Sequence, residues 1–561
     1  MEKIWLKKYP SDVPEFIDIS QYESILDIVE QSCEKHADSI AFLNMGATLT
    51  FRQLEAQSRA FAAYLQHDLK MQPGDRCAIM MPNLLQYPIA LFGILRAGLI
   101  AVNVNPLYTQ RELQHQLSDS GAKMIVAISN FGANLEKVLP QTSIEHVIMT
   151  NIGDLLPQPK RTLVNFAIKY VKKMIPDFHI AHAISIRKAL SAGRKLSYDR
   201  PQCKPEDIAY LQYTGGTTGV AKGAMLTHRN IVANVLQVYG QFSPRTLLSE
   251  DHVVTPLPLY HIFANSVSLM FIMMIGGRNL LITNPRDMDS FVKELKDYPF
   301  TIFFGLNTLF SGMLKNEKFR ALDFSHARFT IAGGMSTQED IAKEWQKVTG
   351  MPVVEGYGLT ECSPVVCSGI HTQQQYTAGI GVPLPSTEMR VINDEKQALG
   401  IDEVGELQVR GPQVMSGYWQ QAQATAESID ADGWFSTGDM ARMDKDGCFF
   451  IVDRKKDMML VSGFNVYSVE IEEILLLHPD IEEAAAIGIP HHVTGEEIKV
   501  FVCSSNKALT RKDIQTHCRR YLTAYKVPRN IEFRDTLPKS PVGKVLKREL
   551  ITPAPEDHSK D

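Results

Sequence analysis

Short apolar runs alternate with helical stretches along most of this chain, and that alternation limits the fold more than any other feature. "RCAIMMP", "LIAVNVNP" and "KMIVAIS" are apolar almost without interruption, while "LLQYPIALFGILRAG" and "RELQHQLSDSG" between them carry helical spacing. The pattern resumes with strands "NLLIT", "FTIFFG", "ARFTIAGG" and "VVEGYG", separated by helices "MDSFVKELKDY", "LNTLFSGMLKN" and "TQEDIAKEWQKVTG". Strands that are apolar on both sides need cover on both faces, so an α/β fold of two doubly wound parallel-sheet halves is expected. Ser336 and Glu339 form a box-like start for the helix near Thr337, and Gly350 is its stop.

Beyond about residue 380 the texture changes. "GELQVRGPQVMSGYW" and "DGCFFIVDR" read as short strands between Gly, Pro and Asp turns, which predicts a small β module. After "DRKKDM" the chain mixes helix "VEIEEILLLH", strands "EEAAAIGI" and "EIKVFVCSS", helix "RKDIQTHCRRYL" and strand "NIEFRD", an α+β pattern. A charge run between differently patterned regions reads as a linker. The expected organisation is a large domain over 1–452, a hinge at 453–458 and a small mobile domain over 459–561, with "TPAPEDHSKD" disordered at the end.

Composition removes several function classes. A formal charge of −5 argues against a nucleic-acid binder. Eight cysteines are scattered without a C-x-x-C pair or a zinc-spaced histidine cluster, as expected of reduced thiols in a cytoplasmic protein. The first residues lack the apolar core of a secretory signal. The charge-free run 253–277 is broken by Pro256, Pro258, His261 and Asn265, so it reads as buried core rather than a membrane span.

"YTGGTTGVAKG", Tyr213 to Gly223, has the chemistry of a phosphate cradle. Glycines let successive N–H groups converge on an anion, threonine hydroxyls add donors, and Lys222 brings positive charge. The strand "DIAYLQY" precedes it and the helix "THRNIVANVLQVYG", with Thr227 as N-cap, follows. Ala221 and Gly223 flank Lys222, which departs from the nucleoside-triphosphatase loop pattern. A flexible surface loop is the competing reading. Four further polar stretches sit at strand ends or turns: "EGYGLTE", "STGD", "DRKKD" and "PKSPVGK". Singly, each is as well explained by a helix start, a tight turn or a solvated charge.

Together, in this order and at this spacing, the motifs resemble the adenylate-forming superfamily of acyl-CoA synthetases, luciferases and peptide-synthetase adenylation domains. The resemblance covers essentially the whole chain. "DGWFSTGDMARMDKDGCFFIVDRKKDMM" and "LVSGFNVYSVEIE" look like the bacterial long-chain fatty acyl-CoA synthetase branch. Two departures are small: Ser468 stands where many relatives carry proline, and Met335 where alanine is more usual.

What the resemblance implies is ATP-dependent joining of a long-chain fatty acid to AMP, with release of pyrophosphate, then transfer to coenzyme A. It assigns Thr214 to Lys222 to the β- and γ-phosphates of ATP and counts Tyr213, Thr214, Gly215, Gly216, Thr217, Thr218, Gly219, Lys222 and Gly223 among the cofactor-binding residues, Thr214 being also catalytic. Glu361 would hold Mg²⁺ and Thr360 the α-phosphate, Tyr357 would stack on adenine, and Gly333, Gly356 and Gly358 would be further cofactor-binding positions. Asp439 would take the ribose hydroxyls and Arg454 a nucleotide contact. Lys544 would bridge carboxylate and α-phosphate, Gly463 would leave room for pantetheine, and Lys456 would be the pivot. Tyr260 and His261 would form the wall of the acyl tunnel, with a core histidine as the competing reading. Burial of a methylene is worth about 0.8 kcal/mol, so two carbons change affinity only about fifteenfold, and tunnel depth must set the length cutoff.

Rival readings remain at this point: a fatty acyl-AMP ligase serving a carrier protein, an aryl-CoA ligase, a luciferase-type oxygenase, or a lipid- or nucleotide-binding protein with a degenerate site. The oligomeric state stays open, a homodimer included. "KRTLVNFAIKYVKKMIP" places Leu163, Phe166, Ala167, Tyr170, Val171 and Met174 on one helical face, with Lys169, Lys172 and Lys173 elsewhere and no acidic residue. Such a helix either packs on its own domain or lies on an anionic membrane, here the inner face of the cell membrane.

Overall fold

The computed structural model describes residues 3–214, 221–246, 248–461, 464–491, 494–540 and 543–551. The first parallel sheet runs, in spatial order, Ile184–Ser185, His146–Thr150, Met124–Ile128, Arg76–Met80, Ile100–Asn103, Ile208–Thr214 and Lys222–Thr227, with only the last strand antiparallel. The second has nine strands. Its parallel centre is Val353–Gly358, Phe329–Gly333, Ile302–Gly305, His252–Thr255, Arg278–Leu281 and Ile40–Asn44, flanked by antiparallel strands at both edges. The strands Arg76–Met80, Met124–Ile128, Ile302–Gly305 and Phe329–Gly333 are buried throughout or nearly so, as continuous apolar runs require.

Both sheets share one core. The helix Gln86–Arg96 is buried along its whole length, which fits its nearly all-round apolar sequence. Its terminal Arg96 pairs with Glu30 at 2.8 Å and with Glu55, so its buried charge is compensated.

A four-stranded antiparallel sheet, Glu388–Ile392, Gly405–Arg410, Phe435–Met443 and Phe449–Arg454, forms the β module. The chain leaves it at Arg454, turns, and enters another sheet at Met459–Val461. That sheet joins Phe464–Val466, Gly495–Cys503, Glu483–His491 and Asn530–Phe533 and is backed by the helices Ser468–Leu476 and Arg511–Cys518.

Two local expectations change. The glycine loop does not lead straight into a helix: the strand Lys222–Thr227 comes first and pairs antiparallel with Ile208–Thr214. Thr227 then caps His228–Phe242 in a full capping box with Asn230. The helix near Thr337 begins at Glu339, with Gln338 as N-cap and no side-chain cap. Thr337 N–H is instead given to the Glu355 carboxylate at 2.5 Å, and Gln338 N–H to Asn307 Oδ1 at 3.0 Å. The 253–277 stretch is a buried strand and a buried helical segment, and among the described residues no helix is long and apolar enough to cross a membrane.

Candidate active site

The strand ends His252–Thr255, Phe329–Gly333 and Val353–Gly358 point the same way, so the segments after them meet at one sheet edge, where ligands of open α/β sheets bind. Gly333 and Gly356 are register partners there. A Cβ on Gly333 would lie 3.3 Å from the Phe263 ring, which puts the Tyr260–His261 segment against this floor. At Gly358 a Cβ would come within 2.1 Å of the Pro364 carbonyl oxygen, so only glycine fits.

The antiparallel strand pair flanking the glycine loop reaches the same edge. Thr214 and Lys222 face each other at its end, and Gly223 lies under the Tyr213 ring, 3.1 Å from where its Cβ would be. Tyr213 Oη donates to Asp119 at 2.5 Å, and His115 meets the Ala221 carbonyl at 3.0 Å. Both partners sit on one face of the helix Gln110–Ser120, four residues apart, so this helix grips each side of the loop's base.

Residues 415–419 join the parts. The Met225 N–H donates to the Gly417 carbonyl at 2.9 Å, and the Trp419 N–H to the Gly223 carbonyl at 2.8 Å. This places the Tyr418 ring 5.0 Å from Lys222 Nζ, while Tyr418 Oη donates to Glu361 at 2.8 Å. Burial holds the Glu361 carboxyl above the usual range, with Tyr418 and Arg454 opposing that shift. Tyr357 Oη donates to buried Asp439 at 2.5 Å, and Arg454 lies 3.6 Å from the other Asp439 oxygen as its strand partner.

Lys544 comes from the far end of the chain. Burial depresses its ammonium to about 8, Arg454 adds to that, and Asp439 and Asp457 oppose it. The preceding Gly543 abuts Thr308, 3.1 Å from where a Cβ would sit, so the terminal loop is docked on the large domain. Lys455 is tied to Glu406 at 2.9 Å and Asp394 at 3.4 Å, whereas Lys456 follows the last of these anchors. His261 is pushed down to about 4 by burial and accepts Phe263 N–H at 3.3 Å; the Tyr260 carbonyl accepts from Gln212 at 3.0 Å.

A model of the AMP-binding enzyme family matches residues 29–419, and one of the AMP-binding enzyme C-terminal domain matches 470–544. The chain belongs to this family. It is 56% identical over 550 residues to a long-chain-fatty-acid–CoA ligase of Yersinia pestis and 53% over 555 residues to one of Haemophilus influenzae, with 98% of each chain covered. In fold it resembles ATP-bound MatB of Rhodopseudomonas palustris (TM-score 0.81, 24% identity, 94% of this chain and 98% of that one). An anthranilate CoA ligase in complex with anthranoyl-AMP gives the same TM-score at 23% identity, over 95% of this chain and 98% of that one.

Thus Tyr213, Thr214, Lys222, Gly223, Gly333, Gly356, Tyr357, Gly358, Thr360, Glu361, Asp439, Arg454 and Lys544 gather at one edge of the family fold. Gly215, Gly216, Thr217, Thr218, Gly219 and Gly463 lie outside the described residues, as do 541–542 of "PVGK" and the terminal stretch 552–561. Sequence reading did not pick out Asp119, His115, Tyr418 or Glu355. "GYW" before Gln420 was a usable signal for Tyr418, an aromatic pair in a polar turn. Nothing in the sequence around Asp119 marks it, because the loop contacts that helix only through the fold. Glu355 is buried, which pushes its carboxyl up to about 7 despite hydrogen bonds from Thr337 and Tyr376.

Proposed function

We infer that this chain activates long-chain fatty acids with ATP and transfers them to coenzyme A, releasing AMP and pyrophosphate. The observation that carries the reading is the docking of Lys544 beside Asp439 and Arg454 in a chain that matches long-chain ligases over its full length. A carboxylate is a poor acyl donor. Its oxygen attacks the α-phosphorus of ATP, the bond to the β-phosphate oxygen breaks, and pyrophosphate leaves with that electron pair. The thiol of coenzyme A then adds to the acyl carbonyl, and AMP departs with the former carboxylate oxygen.

In this reading Lys544 holds the two anions together as charge builds between them. Asp439, oriented by Tyr357 and Arg454, accepts the ribose hydroxyls. Lys222 and the glycine loop take the β- and γ-phosphates and follow the departing pyrophosphate, and Thr360 meets the α-phosphate. Glu361 suits Mg²⁺, a hard cation. Among the described residues no three His, Cys, Asp or Glu side chains converge on a metal site, so Glu361 would hold such an ion through its own carboxylate oxygens. Bound there, it would neutralise phosphate charge.

Two reactions at one carbonyl need Lys544 first and coenzyme A second, so the small domain, 459–561, turns about Lys456 between them. Support comes from Lys455, which is anchored to the large domain immediately before that point. Tyr260 and His261 wall the acyl site, and Gly463 admits pantetheine.

The reading extends to location in the cytoplasm, at the inner face of the cell membrane. Leu163, Phe166, Tyr170, Val171 and Met174 lie between 50% and 70% exposed, beside exposed Lys169, Lys172 and Lys173. An apolar face flanked by cations suits a bilayer with anionic lipids, where the acid substrate also resides. Mass spectrometry after incubation with ATP, Mg²⁺, coenzyme A and mixed carboxylic acids tests the function. Long-chain thioesters with AMP are expected; release of adenylate alone, or aryl thioesters only, would overturn it.

A further inference from the structure

Asp453 is the residue before Arg454, on the last strand of the β module, where the hinge segment begins and ahead of the Lys456 pivot, and its side chain is buried. Its carboxylate accepts both the backbone N–H of Ser468 and, at 2.9 Å, the Ser468 hydroxyl. Ser468 is wholly buried and is the first residue of the helix Ser468–Leu476, beyond the hinge. The hydroxyl oxygen also accepts from Lys547 Nζ, and Lys547 pairs with Glu472 of the same helix at 2.7 Å. Glu472 in turn accepts Ala486 N–H at 2.8 Å, from the central sheet of the small domain.

These bonds form one path. It starts on the large domain, crosses the hinge, and ends three residues beyond Lys544, on the segment that carries it. Proline is well suited to the first position of a helix, because the N–H there has no helical partner. At 468 it would remove both bonds to Asp453 while keeping the helix start.

We propose that Asp453, Ser468 and Lys547 form a latch across the hinge that holds the small domain in the orientation presenting Lys544 to the nucleotide. Ser468 is then a positioning residue, and the latch sets how the enzyme divides its time between the two half-reactions. Turning about Lys456 moves Ser468 and Lys547 away from Asp453, so the latch must open before thioester formation. A hydrogen bond to a buried carboxylate is worth roughly tenfold or more in an equilibrium constant.

The proposal rests on the hinge reading given above, and the test separates the two. Pyrophosphate exchange into ATP measures adenylation; transfer from preformed enzyme-bound acyl-AMP to coenzyme A, in a single turnover, measures the second half. Ser468→Pro should lower the ratio of the first rate to the second about tenfold, and Ser468→Ala, which keeps the N–H bond, about threefold. An unchanged ratio in both variants overturns the latch. Should Ser468→Pro unfold below the parent temperature, Ser468→Ala and Asp453→Asn decide the matter by the same ratio. Lys456→Pro is the control for the hinge. If it spares adenylation and slows transfer while the Ser468 variants change nothing, the latch alone is lost. Equal loss of both half-reactions in Lys456→Pro removes the hinge and the latch together.

Discussion

Lys544 offers the sharpest perturbation, because its proposed role and its buried surroundings make opposite demands on its charge. It must be cationic to hold two anions, yet burial beside Arg454 lowers its ammonium from an ordinary 10.5 to about 8. Keeping that charge in the free enzyme costs about 3 kcal/mol, which incoming phosphate and carboxylate groups offset. A lysine depressed in the folded state is charged below the folded value, so the cost is present at neutral pH and relieved as pH rises through 8. The rate should follow the opposite course. Adenylation needs the cation, so kcat/KM for pyrophosphate exchange should be near its plateau at pH 7 and fall about tenfold by pH 9. Lys544→Arg, which stays charged, should lose that alkaline fall whatever its absolute rate. Lys544→Ala should lose about 10²–10³ in exchange rate, the usual effect of deleting one transition-state cation or donor, while unfolding at the same or a higher temperature. A wild-type profile flat to pH 9.5, or Lys544→Ala exchanging pyrophosphate within threefold of the parent, would refute the reasoning.

Other outcomes follow from particular contacts. Tyr418→Phe keeps a ring beneath Lys222 but removes the hydrogen bond to Glu361, and should weaken the apparent Mg²⁺ affinity in pyrophosphate exchange about tenfold; an unchanged Mg²⁺ titration would count against Glu361 as a metal ligand. Gly358→Ala drives a methyl group into the Pro364 carbonyl and should cost about 2–4 kcal/mol in chemical denaturation, with an unaltered midpoint contradicting the packing argument. Replacing Lys169, Lys172 and Lys173 with glutamate should release the protein from vesicles containing phosphatidylglycerol in flotation assays, leaving exchange activity in detergent unchanged; equal flotation would remove the membrane face.

How far the sequence disclosed this arrangement depended on what each feature needs from the rest of the fold. Strands such as Met124–Ile128, buried at every position, announce themselves because burial on both faces demands unbroken apolar residues. Capping is also local, and Thr227 was legible as an N-cap, while its box partner Asn230 was not singled out. The strand Lys222–Thr227 was not, since lysine and glycine at its start read as loop, and only pairing with Ile208–Thr214 extends it. Ser336 and Glu339 looked like a cap, but buried Glu355 claims the Thr337 N–H, and the helix starts later. Candidate residues within compact motifs, such as Asp439 and Arg454, stand out in the sequence, and the fold sets these two side by side. Positioning partners do not stand out, because Asp119 is 94 positions from Tyr213 and Tyr418 is 57 from Glu361. The exposed face at Leu163–Met174 had two readings in sequence, and the fold leaves it open to solvent with Ile168 as its buried residue.

The most direct test of acyl activation follows the oxygen. A long-chain fatty acid carrying oxygen-18 in its carboxylate should, after turnover with ATP and coenzyme A, leave one labelled oxygen in AMP and the other in the thioester. Label found in pyrophosphate or inorganic phosphate, or unlabelled AMP beside labelled thioester, would contradict passage through an acyl-adenylate.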